Sequence, residues 1–120
     1  MHDMINWFEI AVTDIERAAE FYGAIFDRTL EIHRGPGFAS AMFPHNGGVG
    51  GGLVAGEGYV PNTGGSLVYL NANPDLNVVL NRVKAAGGQA VKGKTDIGEN
   101  GFFAIFLDTE GNRVALHSMS

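Results

Sequence analysis

The chain has 120 residues, 45% of them hydrophobic, which suits one domain with a single core. Thirteen acidic against 8 basic residues give a net charge of -5, and this excludes the lysine and arginine patch that a nucleic-acid or anionic-membrane partner requires. With no cysteine there is no disulfide, thiolate nucleophile or cysteine-held metal centre, so any metal must use histidine, carboxylate or backbone oxygen. In residues 5–12, Phe8, Ile10 and Val12 alternate with Trp7, Glu9 and Ala11 at the period of a strand. Thr13 and Glu16 have the spacing of a capping box, which predicts a helix starting near Asp14. Ile15, Ala18, Ala19, Tyr22, Ile25 and Phe26 then form one apolar stripe, and the helix is expected to end near Phe26. His33 and Arg34 follow on a solvated strand edge. Residues 38–43 and 49–54 read as strands broken by glycine.

The run at residues 47–52 has neither the glycine spacing nor the lysine of a phosphate loop, and it predicts a closely packed or bulged strand, or a lip over a site. Residues 56–65 form the linker, and Tyr59, Val60 and Pro61 within it are placed to close over a ligand. Then the plan repeats. Residues 67–72 are a strand, Asn73 is read as the next helix cap with Pro74 at the first helical position, and Leu76, Val79, Leu80 and Val83 renew the apolar stripe. Gly87 and Gly88 stop that helix. Residues 102–107 and 113–117 are the closing strands, joined by a hairpin at 108–112. Of Phe102, Phe103 and Phe106, alternation sends most to the core. The chain thus reads as two half-domain modules, about 4–58 and 64–120, within one domain spanning 1–120. No apolar run reaches the roughly 18 residues that span a bilayer, and no secretory leader is evident, so a cytoplasmic protein is expected.

Residues 12–22, Val-Thr-Asp-Ile-Glu-Arg-Ala-Ala-Glu-Phe-Tyr, resemble the opening of the vicinal oxygen chelate superfamily, whose members include glyoxalase, bleomycin-resistance proteins and extradiol dioxygenases. Residues 106–116 resemble that family's last hairpin. The resemblance implies an α+β fold of two βαβββ modules whose curved mixed sheets form a cup, commonly completed by a homodimer partner. It also implies metal-ligand positions near Trp7, within residues 50–53, near Leu67 and at Ala115. None of these offers a donor, so the expected cofactor is none, and a divalent metal would need displaced ligands.

Alternation puts Trp7 and Glu9, Tyr69 and Asn71, and Ala115 and His117 on the face that lines the cup in such a fold. Glu9, Tyr69 and His117 each stand two residues beyond an empty ligand position, which places a carboxylate, a phenol and an imidazole together. Glu9 is the candidate base for abstracting a proton beside a carbonyl, its carboxyl raised if partly buried, with His117 or Tyr69 serving the oxyanion. Other readings remain open: Glu9 merely hydrogen-bonds His117 or Tyr69, or Glu9, His117 and His45 hold a displaced metal. Trp7, Asn71 and His45 are the candidate ligand-binding residues, Trp7 as a stacking wall or a packing residue. His2 carries little weight. Two functions compete: a glyoxalase-like lyase or isomerase acting on a small carbonyl or aromatic metabolite, and a bleomycin-resistance-type protein that sequesters its small molecule unchanged. A module that has lost its ligand and only dimerises or regulates is a third.

Overall fold

The computed structural model describes residues 3–120, so His2 lies outside the described residues. Module 1 runs β1 (Trp7–Ala11), α1 (Ile15–Phe26), β2 (Ile32–Gly35), β3 (Phe38–Met42) and β4 (Gly50–Gly56). Module 2 repeats it as β5 (Tyr69–Asn71), α2 (Leu76–Val83), β6 (Gln89–Asp96), β7 (Phe102–Leu107) and β8 (Arg113–Ser118). Each builds a four-stranded mixed sheet, in the orders β1-β4-β3-β2 and β5-β8-β7-β6, with the first strand parallel to the last. Strand β6 has no counterpart among the segments read as strands from the residues, because Gln89–Asp96 is mostly exposed and its pairing with β7 is interrupted by two register shifts. Such irregularity bends an edge strand and blurs its alternation.

The hydrogen bonds closing the two parallel pairs fix the equivalence of the modules. The Val12 amide donates to the Val54 carbonyl at 2.9 Å, and the Ala72 amide to the His117 carbonyl at 2.8 Å. Counting back along the strands, Trp7 matches Leu67, Glu9 matches Tyr69 and Gly52 matches Ala115. The apolar stripes of both helices pack on one side of the sheets, where Ile10, Val12, Leu53, Leu70, Phe106 and Leu116 form a common core with them. Phe106 is fully buried and Phe102 packs against the same core, whereas Phe103 lies opposite His117 on the helix-free face.

Both expected helix caps are displaced. Asp14, not Thr13, caps α1, its Oδ1 accepting the Arg17 amide at 3.0 Å. Glu16 is turned outward to an ion pair with Arg34 at 2.7 Å, so no capping box forms. In module 2 the cap is Asp75, which accepts the Asn77 amide. Asn73–Pro74 is a cis peptide, and the Asn73 side chain instead accepts the Met119 amide at 2.8 Å. A cap needs a side-chain oxygen facing the first free N–H groups, and an aspartate closer to each helix, one residue on from Thr13 and two on from Asn73, has it. The second helix ends as expected, with Gly87 at φ +106 and the Gly88 amide bonded back to Val83.

The amides of Thr13 and Asp14 are taken by a residue from the other module. Glu110, in the β7–β8 hairpin, accepts both through Oε1, at 2.9 and 2.8 Å, and binds the Arg17 guanidinium through both oxygens. Its side chain is shut off from solvent. Burial alone pushes this carboxyl up, but the hydrogen bonds from Arg17, Asp14, Thr13 and Thr109 outweigh it and hold the pKa down at about 2. Behind it, the buried Asp108 carboxylate accepts the Tyr22 hydroxyl at 2.8 Å, the Asn112 side-chain amide at 3.0 Å, and the backbone amides of Glu110 and Asn112. Burial, followed by the adjacent Asp108 charge, raises the Tyr22 phenol well above its usual range, so it remains a donor.

Because Glu110 titrates near 2 when folded and near 4.5 when unfolded, its stabilisation is complete above about pH 4.5 and is lost as pH falls toward 2. The shift corresponds to about 3 kcal/mol. Glu110→Gln is therefore expected to lower the urea midpoint at pH 7, with the gap to the parent closing by pH 2; a gap that ignores pH would contradict this origin. Tyr22→Phe leaves one lone pair of Asp108 unmet and should cost about 1–3 kcal/mol by the same unfolding measurement.

Candidate active site

Opposite the helices each sheet presents a bare face. On module 1 this face carries Trp7 and Glu9 from β1, Met42 from β3, and Gly50 and Gly52 from β4. The two glycines are required. A Cβ at Gly50 would stand 2.9 Å from the Trp7 ring and 3.0 Å from His45 Nε2, and one at Gly52 would stand 2.9 Å from both the Met42 sulfur and the Ala41 carbonyl oxygen. The strand is stripped of side chains so that an indole, an imidazole and a thioether can lie across it. The end of the glycine run, from Gly50 on, thus enters a central strand, and Trp7 and His45 meet over it. Trp7 remains 44% exposed, enough to present its ring to a ligand.

Glu9 is exposed rather than partly buried, and its partner is neither His117 nor Tyr69. The Tyr59 hydroxyl, from the linker between the modules, donates to Glu9 Oε1 at 3.1 Å. That bond, and then the Glu9 charge, raise the Tyr59 phenol above its usual range, so Tyr59 is a donor. On module 2, Tyr69 lies against the Phe103 ring at 6.3 Å and is half exposed. His117 Nε2 is 2.6 Å from the Asn100 carbonyl oxygen. A carbonyl only accepts, so Nε2 carries the proton and Nδ1 is left for other work. Asn71 Oδ1 is spent on the Asn73 amide, two residues on. Tyr69 and His117 thus share one face, with Asn71 paired to His117, while Glu9 stands on the matching face of the other module. No hydrogen bond or ion pair joins Glu9 to Tyr69 or His117 among the described residues.

Equivalence of the modules puts the positions at which the resemblance expects metal ligands at Trp7, Gly52, Leu67 and Ala115. An indole, a bare backbone, an isobutyl and a methyl group do not fit a divalent cation. No three histidine or carboxylate groups come together elsewhere among the described residues, and Glu9, His45 and His117 are not gathered into such a set. Two grooves, of about 400 and 750 Å³, lie along α1 on the helix side, and neither is lined by Glu9, Tyr69 or His117.

Sequence reasoning singled out Glu9 and missed Tyr59 as its partner, because a contact across 50 positions between a strand and an irregular linker leaves no periodic trace. The aromatic residue among the linker glycines was the one available signal.

A family model described as the Glyoxalase/Bleomycin resistance protein/Dioxygenase superfamily matches residues 4–116. A Glyoxylase-like domain-containing protein of Didymella fabae is 30% identical over 127 residues, spanning 97% of this chain and 94% of its own. Among solved structures, a glyoxylase/bleomycin resistance protein/dioxygenase domain from Frankia sp. EAN1pec covers 100% of both chains with TM-score 0.75 and 15% identity. A glyoxalase I mutant from Zea mays matches 93% of this chain and 44% of its own, with TM-score 0.71 and 20% identity. At such identities the structural matches establish the fold alone.

Gly50→Ala is expected to shift the emission of Trp7, the one tryptophan of the chain, at a cost of about 1–3 kcal/mol in stability. Unchanged emission would mean that the indole does not rest on this strand.

Proposed function

From the premise that this chain belongs to the glyoxalase/bleomycin resistance protein/dioxygenase superfamily, we propose that it is a small-molecule enzyme whose acid–base chemistry is carried by Glu9 rather than by a metal. The observation that carries this reading is the position of Glu9. It is the carboxylate on the bare face of β1, one step along from Trp7, where the family resemblance expects a ligand, and beside an exposed indole. The side chains at the four expected ligand positions supply no donor, so the reaction is assigned to proton transfer and electrostatics. Glu9 Oε2 has no protein partner among the described hydrogen bonds and is available to take a proton beside a carbonyl or from an aromatic metabolite.

The charge that develops on the substrate oxygen then needs donors. Tyr69, at the position in module 2 that Glu9 occupies in module 1, can give its phenol proton. His117 can donate from Nδ1 when its ring is protonated, since Asn100 holds Nε2. Among the described residues neither is hydrogen-bonded to Glu9, and a second copy laid over the bare faces is the assembly that would bring them together while covering Trp7, Phe38, Met42 and Tyr69, all exposed apolar or aromatic side chains.

The same exposed aromatic and thioether side chains support a second reading, in which the face binds a small molecule and leaves it unchanged. Thermal-shift screening of a metabolite library, followed by turnover assays on the hits, separates the two. Under the catalytic reading Glu9→Gln retains binding and loses about 10²–10⁴-fold in turnover. Binding with no turnover by the parent identifies sequestration. Stabilisation by zinc, nickel or manganese would overturn the metal-free assignment. Sedimentation at micromolar concentration is expected to give a dimer that Phe38→Asp dissociates, and a monomeric parent would remove the second copy from the site.

A further inference from the structure

The Glu9 carboxylate already holds a ligand of sorts, and the chain itself supplies it. Tyr59 reaches it from a segment without regular secondary structure between β4 and β5, and the bond from its hydroxyl to Oε1 is the one side-chain hydrogen bond that either residue makes among those described. The segment is tethered beyond that point, where the Asn62 amide donates to Asn112 Oδ1 at 3.0 Å, and before it, where the Tyr59 amide bonds the Gly56 carbonyl at 3.1 Å. Neither tether involves the Tyr59 ring. Gly58, next to Tyr59, has φ +87 and open space around it. The phenol can therefore leave the carboxylate by rotation of its own side chain, while the backbone on either side stays anchored.

We infer that Tyr59 is an internal stand-in for the ligand, so that the site takes a small hydroxyaromatic molecule whose O–H replaces the Tyr59 hydroxyl on Glu9 and whose ring lies against Trp7. The inference rests on the reading of the Glu9 face as the ligand site. Three features support it independently of any reaction. A carboxylate offers only acceptors, so its ligand must bring a donor. The wall two residues away on the same strand face is an exposed indole, and the Met42 thioether folded over Gly52 adds a second soft apolar surface, both suited to a flat ring. The Tyr59 phenol stays protonated beside the Glu9 charge, as a competing neutral phenol would. Tyr59 is thereby a specificity residue: it sets the threshold that a weakly donating or ring-free molecule fails to pass.

Titration of the full chain with p-cresol, following the emission of its one tryptophan, tests this, with 4-methylanisole as the same ring lacking the O–H donor. The parent should bind p-cresol more tightly than the ether. Tyr59→Phe, which removes the internal competitor at an exposed position, should tighten p-cresol binding about 3- to 10-fold and leave the ether unchanged. Glu9→Gln should bring p-cresol down to the level of the ether. Equal affinity for both probes, p-cresol binding indifferent to Tyr59→Phe, or no response of Trp7 to p-cresol each overturns the inference. Loss on Glu9→Gln of the turnover of a substrate without a hydroxyl would sink this ligand class while sparing Glu9 as the base. The predicted cresol pattern, in a protein that turns nothing over, would spare the ligand class and sink the enzyme.

Discussion

A buried carboxylate is costly unless its lone pairs are met, and in this fold the meeting of Asp108 holds the two modules together. Two of its four hydrogen bonds come from its own hairpin backbone, which shapes the turn before β8. A third comes from Tyr22 at the centre of α1, in the other module, and Asn112, the fourth donor, also reaches the Ala11 carbonyl at the end of β1. Glu110 extends the same contact to the first turn of α1, where a negative charge faces unpaired amides and the positive end of the helix. One five-residue hairpin thereby sets the angle between helix α1 and the second sheet, and with it the relation of the two bare faces.

With the helices and this clamp on one side, Trp7, Glu9, Tyr69 and His117 are left on the other. The division follows from strand alternation: Phe8, Ile10 and Val12 must meet α1, so Trp7 and Glu9 must point away. The glycines of β4 then decide what the exposed side can be. Side chains at Gly50 and Gly52 would lift Trp7, His45 and Met42 off the sheet, and without them the indole lies low beside a carboxylate. A fold whose relatives are described as glyoxalases and dioxygenases here presents apolar groups at the positions expected to ligate metal, and a carboxylate and phenol one step along. The linker joins this face as well, through Tyr59.

The duplicated plan, the strand faces, the end of the first helix at Phe26, the glycine stop after the second at Gly87 and the family were legible from residues alone, because each is written in local periodicity or in short contiguous runs. The helix starts were misread by a residue or two. Thr13 with Glu16 and Asn73 with Pro74 satisfy the local rules for caps, yet Glu110 and a cis peptide had claimed those positions, and Asp14 and Asp75 took over. The candidate site was half legible. Alternation put Glu9, Tyr69 and His117 on the correct faces, but the choice of partners depended on where the linker and the 3-10 turn at Gly98–Asn100 came to rest.

By itself the sequence determined which residues face the core and which face away, since a period of two or 3.6 assigns a side before any tertiary contact exists. It also determined that thiolate and cysteine-metal chemistry are closed to this chain. Only the tertiary structure decided that Asp108 and Glu110 bind module 1, that His117 is held by Asn100, and that Glu9 answers to Tyr59. Those pairings join residues from 17 to 97 positions apart through one or a few hydrogen bonds each, and such bonds depend on ångström placement that no local pattern encodes.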